Sequence, residues 1–191
     1  MKSLEEIKEA WEKDEVRAIS RRYFISNGFD GTLTSTGVAI GSYLSGVPSG
    51  LTVFKVGLGA GIGLATSGVW SVWEIERAEK LAEVHDLEEP MMRDLEDTEI
   101  HRQKKQGRLI NAASSGAGPV LGILLPMIPF LFEPAIGMFY ATVASIAVGV
   151  GLLSAFGAYM GKISGQKLYV SAVRMGLAGL VVAALNIILP G

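Results

Sequence analysis

Glu76, Glu79, Glu83 and Asp86 recur at i, i+3, i+7 and i+10, the spacing that sets side chains on one face of a helix. His85 lies among them, Glu74 just ahead of them and the Met91-Met92 pair just after. Carboxylates three or four residues apart on a helix repel each other unless a cation or a basic partner compensates. Carboxylate with imidazole suits borderline divalent ions such as Fe²⁺, Mn²⁺ or Zn²⁺, and thioether adds softness. Eleven of the chain's 19 acids fall between Glu74 and Glu99, and both histidines, His85 and His101, lie in the same segment, 74–108. Pro90 is expected to interrupt the helical pattern, with a second short helix carrying Asp94, Glu96, Asp97, Glu99 and His101. No strict metal motif is present, so the competing reading is a solvated charged hairpin.

The remainder of the chain is of a different kind. Of 191 residues, 49% are hydrophobic, and the mean hydropathy is +0.37. Charge is concentrated in residues 1–26 and 74–108, and the rest is apolar and Gly-rich. Such segregation indicates an all-α membrane protein with several spans rather than a soluble core. Five spans are expected, at 28–46, 51–73, 110–132, 135–157 and 169–189, each close to the roughly 20 residues that cross a bilayer. Four segments follow: an N-terminal amphipathic helix at 1–26, spans one and two at 27–73, an acidic insert at 74–108 and spans three to five at 109–191.

Ser3 and Glu6 have capping-box spacing at the start of the N-terminal helix, which is expected in the cytoplasm or on the membrane surface with Arg21 and Arg22 near the headgroups. No secretory leader is expected, because the first 22 residues are charged throughout. Of the 17 Lys and Arg, 16 lie in the N-terminal segment, the insert or the region after span four, leaving Lys55 on the other side. The positive-inside rule then sets the N-terminus in the cytoplasm and the C-terminus outside, and the expected location is the plasma membrane. The chain has no cysteine, which excludes disulfides, thiolate metal sites and cysteine nucleophiles.

Asp30 stands near the start of span one, where an ionised carboxylate is costly and is a functional candidate by default. It follows Arg21 and Arg22 by about two helical turns, so it is expected at a depth similar to Glu74 and Glu76, as one wall of a cation site at the inner mouth of the bundle. The alternative is a helix cap accepting from the backbone N–H of Thr32 or Leu33. Gly57, Gly59, Gly61 and Gly63 form two overlapping small-residue frames in span two, which imply close helix packing within one chain or across a dimer. Pro126 and Pro129 are expected to kink span three and free backbone carbonyls.

The blocks SNGFDGTLTSTGVAIGSYLSG, GLATSGVWSVWEIERAEK, GAGPVLGILLPMIPFLF and GAYMGKISGQKLYVSAVRMGLAGLVVAALNIILPG together resemble the vacuolar iron transporter (Ccc1-type) family, in order over about residues 20–191. The resemblance implies a five-span homodimer that moves Fe²⁺ or Mn²⁺ out of the cytoplasm in exchange for protons. It implies that Asp30 and Glu74 lie on the transport path, and that residues 76–101 form a cytoplasmic metal-collecting region in which Met91 and Met92 match a methionine pair. Trp70 and Ser71 stand where the family usually carries a Ser-Met stretch, and the insert is shorter than the family's full three-helix metal-binding domain, which points to a short-insert branch.

The expectation from sequence is thus a homodimeric exporter of divalent metal, Fe²⁺ first and Mn²⁺ second, by proton antiport. Asp30, Glu74, Glu76, Glu79, Glu83, His85, Asp86, Met91 and Met92 are its candidate metal ligands. Its partners are a second copy, the lipid bilayer and the metal ions, with no nucleic acid and no organic cofactor. An enzyme is not expected, since no nucleophile constellation or histidine cluster falls in the spans. The alternative is a non-transporting metal sensor or scaffold whose insert recruits a cytoplasmic partner.

Overall fold

The computed structural model describes residues 11, 14–91 and 99–189, with side chains described at all of these except 80, 83–91 and 99–105. The Ser3–Glu6 capping box lies outside the described residues. The elements are α1 (Asp14–Leu44), α2 (Gly50–Met91), α3 (Glu99–Met127), a 3₁₀ turn (Ile128–Phe132), the single-turn α4 (Glu133–Ile136), α5 (Met138–Ile163) and α6 (Leu168–Ile188). No strand occurs among the described residues. Among the described residues, four stretches are long and apolar enough to cross a membrane: Gly50–Glu79, Gln106–Ile136, Met138–Ile163 and Leu168–Ile188.

Two of the helices are longer than their apolar parts. α1 continues through residues 26 and 27 without a break, and α2 runs from its apolar half into the acidic insert as one helix, past Pro90 to Met91. Backbone hydrogen bonds within a helix are indifferent to the passage from hydrocarbon to water, so a change of composition need not end the helix.

α1 is absent from the apolar stretches because of its hydroxyls and Asp30. Those hydroxyls are satisfied within the helix. Thr32 Oγ1 donates to Gly28 O at 2.8 Å, Thr34 Oγ1 to Asp30 O at 2.8 Å and Thr36 Oγ1 to Thr32 O at 3.0 Å. A hydroxyl folded back one turn leaves no unpaired donor, so this stretch is less polar in effect than its composition.

α1 packs most extensively against α3, and the reason lies in two prolines inside α3, Pro119 and Pro126. Each lacks an N–H and so leaves the carbonyl four residues earlier without its helical partner. These carbonyls belong to Ser115 and Gly122. Asn27 Nδ2 donates to Ser115 O at 3.2 Å. Ser35 Oγ lies 3.4 Å from Gly122 O while also donating to Thr32 O at 2.7 Å. Residue numbers rise together along the two helices, so α1 and α3 run parallel. Glycines permit the approach: a Cβ on Gly118 would lie 2.4 Å from Phe24 O, and one on Gly122 would lie 2.4 Å from Gly28 O.

The apolar core sits further along the bundle, where Ala39, Val53, Ile123, Met127, Phe130 and Ala141 are buried together. The two glycine frames of α2 separate here. Gly57 and Gly61 face Met127 and Ile123 of α3, whereas Gly59 and Gly63 have nothing within 4 Å. The first frame is therefore used inside the chain and the second lies on an uncovered edge. Pro126 lies one residue before the end of α3, and the helix tightens into the 3₁₀ turn at Ile128, with Pro129 in its first turn. Beyond it, Glu133 Oε2 accepts from the Gly50 backbone N–H at 3.1 Å and so holds the start of α2.

Replacing Asn27 by Ala should lower stability by roughly 1–2 kcal/mol, because a buried carbonyl loses its donor. Adding Pro119→Ala supplies a backbone N–H to Ser115 O and should recover much of that loss. Thermal unfolding of the two variants in detergent measures both effects. No recovery in the double variant would mean that the freed carbonyl is not what Asn27 is there to satisfy.

Candidate functional site

Two polar layers cross the interior where α1, α2 and α3 meet. In the first, Asn27 Nδ2 also donates to Ser115 Oγ, and that hydroxyl donates to Gly68 O of α2 at 2.9 Å. Close contact at Gly68 makes this possible, since a Cβ there would sit 2.9 Å from Ser115 Oγ.

The second layer lies nearer the charged ends of the helices, by about one turn on α1 and α3 and about two on α2. Glu76 is only 2% exposed. Tyr23 Oη donates to its Oε1 at 3.5 Å, and its Oε2 has no hydrogen-bond partner. Asn111 is 1% exposed, and its Oδ1 is likewise unpartnered. The Arg108 guanidinium rests over the Trp73 ring at 4.0 Å, within electrostatic reach of Glu74 and Glu76, with its Nε unpartnered. A buried carboxylate with a free oxygen is costly unless a cation or a proton neutralises it. Carboxylate and amide oxygens are ligands suited to hard and borderline divalent cations.

The residues singled out from sequence are placed unequally. Glu74 is exposed and pairs with Arg77 at 3.7 Å, a surface contact of small energetic weight. Glu79 is exposed. Asp30 is exposed on the single chain and sits in the middle of α1, so it is not the N-cap that one reading of the sequence allowed. Nor does it share a depth with Glu76. It stands seven residues beyond Tyr23, the Glu76 partner, which is roughly 10 Å further along the helix axis. The continuous α1 moves Asp30 inward, where a helix starting at residue 28 would have left it at the mouth. Glu83, His85, Asp86 and Met91 have their backbones on α2, but their side chains, and Met92 altogether, lie outside the described residues. Among the described residues no three His, Asp or Glu side chains converge on one point.

Tyr23, Asn27, Arg108, Asn111 and Ser115 are missing from the sequence-based candidates. One signal for two of them was available. Pro119 inside an apolar helix demands a donor for the Ser115 carbonyl, and Asn27 carries a side-chain N–H₂ in a segment with few others.

A bundle of this kind, with several apolar helices long enough to cross a membrane around a buried carboxylate, defines a polytopic membrane protein. The VIT family pattern matches residues 70–189. The chain belongs to this family, the vacuolar iron transporters, and is thereby placed among membrane metal-ion transporters. The match includes Glu74 and Glu76 and begins after Asp30. An uncharacterized protein of Methanocaldococcus jannaschii is 27% identical over 168 residues, covering 86% of this chain and 85% of its own length. No solved structure matches.

Metal bound to the native state raises its stability, so Mn²⁺ should raise the melting temperature of the purified protein. Glu76→Gln, which keeps size and removes the charge, should shrink that rise severalfold, whereas Glu74→Gln should keep most of it. An equal response in both variants would remove Glu76 from the metal site.

Proposed function

We propose that the protein is a homodimeric exporter that takes Fe²⁺, and Mn²⁺ second, from the cytoplasm in exchange for protons. The observation that carries this reading is the buried Glu76 carboxylate, whose Oε2 has no partner although it lies at the end of a membrane-crossing stretch. Such a group is stable when it alternates between a proton and a metal ion. Competition of both for the same oxygens makes metal affinity fall as the proton concentration rises. Metal loading from the cytoplasm is therefore favoured at higher cytoplasmic pH, and release is favoured on a more acidic far side.

The topology is five spans, with α1 as the first. Residues 27–35 of α1 lie beside residues 115–122 of α3, which are in the middle of the Gln106–Ile136 stretch. A helix held there shares the bilayer with α3 despite its polar residues. The N-terminus is cytoplasmic, the C-terminus is outside, and the plasma membrane is the expected location. Glu76, Glu79, Glu83, His85 and Asp86, with Met91 and Met92, collect the ion near the inner surface, and Glu74 and Asp30 pass it between the helices. The exposure of Asp30 on one chain supports a two-fold dimer, since a lipid-facing carboxylate is unfavourable and a second copy would cover it.

Purified protein in sealed liposomes should move Fe²⁺ and Mn²⁺, with opposite proton movement and a rate that depends on the pH gradient. Asp30→Asn and Glu76→Gln should each lower flux at least tenfold, a loss of roughly 1.4 kcal/mol or more in barrier terms, while assembly is retained. Metal binding without flux in the unaltered protein would favour the sensor or scaffold alternative. A reporter after Gly191 found on the same side as one inserted near Pro90 would overturn the five-span topology.

A further inference from the structure

Phe24 of α1 meets Phe156 of α5 edge-on, with ring centroids 6.0 Å apart. A groove of about 460 Å³ opens between the helices there. Its apolar wall is formed by Ile25, Met160 and Ile163, and its polar wall by Arg21, Arg22 and Ser26. Met160 and Ile163 are each 43% exposed and lie at the very end of the Met138–Ile163 membrane stretch. Among the described residues no acidic side chain lines the groove. Lys162 stands in the last turn of α5, and Lys167 heads α6. Arg22 rests over the Tyr23 ring at 5.6 Å.

We propose that this groove is a binding site for one anionic phospholipid, with its phosphate on Arg21 and Arg22 and an acyl chain along Ile25, Met160 and Ile163. Charge complementarity selects the occupant. Guanidinium groups recognise phosphate oxygens by paired hydrogen bonds, and basic pockets between membrane helices at the headgroup level favour anionic headgroups. A zwitterionic headgroup would bring its own cation towards the same arginines and the neighbouring lysines. The apolar wall continues into the bilayer, which a soluble phosphate compound would leave exposed to water or lipid. In the orientation proposed above this lipid belongs to the inner leaflet. The site itself lies at one membrane face in either orientation.

The test is native mass spectrometry of the full chain released from nanodiscs that contain equal phosphatidylglycerol and phosphatidylcholine. The unaltered protein should retain phosphatidylglycerol roughly tenfold over phosphatidylcholine. Arg21→Gln with Arg22→Gln should abolish the preference. Met160→Trp, which fills the groove and leaves the charge intact, should abolish retention as well. Helix content by circular dichroism identifies variants that are folded. Equal retention of both lipids by the unaltered protein overturns the site, as does unchanged retention in the double arginine variant. Retention that survives Met160→Trp overturns the groove in favour of surface charge alone. The readout involves no metal, so it stands or falls independently of transport.

Discussion

A carbonyl that cannot be hydrated must find a donor within the protein, and this constraint organises the bundle. α3 carries two prolines, and each leaves one carbonyl unpaired inside an apolar environment. Asn27 on α1 donates to the first, and the Ser35 hydroxyl, whose proton goes to Thr32 O, lies 3.4 Å from the second. These contacts set the register of α1 on α3, and the backbones come together at Gly28, Gly118 and Gly122. Nothing in the apolar core is as selective about register, because aliphatic contacts tolerate small sliding whereas a hydrogen bond does not. α2 then joins the pair through Gly68, and its position decides where Glu76 falls.

The same register explains how a charged residue comes to be buried. Once Gly68 is fixed against Ser115, the next two turns of α2 carry Glu76 beneath Tyr23, while Glu74 points outward to Arg77. Two acids two residues apart thereby receive different environments. The exposed one makes a weak ion pair, and the buried one keeps an unpartnered oxygen. Trp73 takes the Arg108 guanidinium onto its ring face, a contact that lets a cation remain at the edge of a desolvated region.

Much of the architecture was legible in the sequence because it depends on apolar length alone. The stretches that begin at Gly50, Gln106, Met138 and Leu168 needed no knowledge of neighbours. α1 was harder, since its hydroxyls read as polar until their return to Gly28, Asp30 and Thr32 carbonyls is seen. The burial of Glu76 was not legible. Its spacing with Glu79 defines a helical face, but its partner Tyr23 is 53 residues away, and no local pattern encodes that pairing. The placing of Asp30 level with Glu76 failed for a related reason. It assumed that α1 restarts near residue 28, whereas the helix is continuous from Asp14.

The closed layer between Glu76 and Asp30 bears on the exporter reading. Asn27 lies between Tyr23 and Asp30 on α1, and its amide donates to both the carbonyl and the hydroxyl of Ser115, which in turn donates to Gly68. An ion moving from Glu76 to Asp30 through the middle of one chain would have to break this layer and reopen the carbonyl left by Pro119. A route along the outer face of α1 leaves every one of those bonds intact. Asp30 is exposed on that side of α1. Within the proposed dimer, the polar layer that holds the three helices together therefore favours an ion path between the two chains.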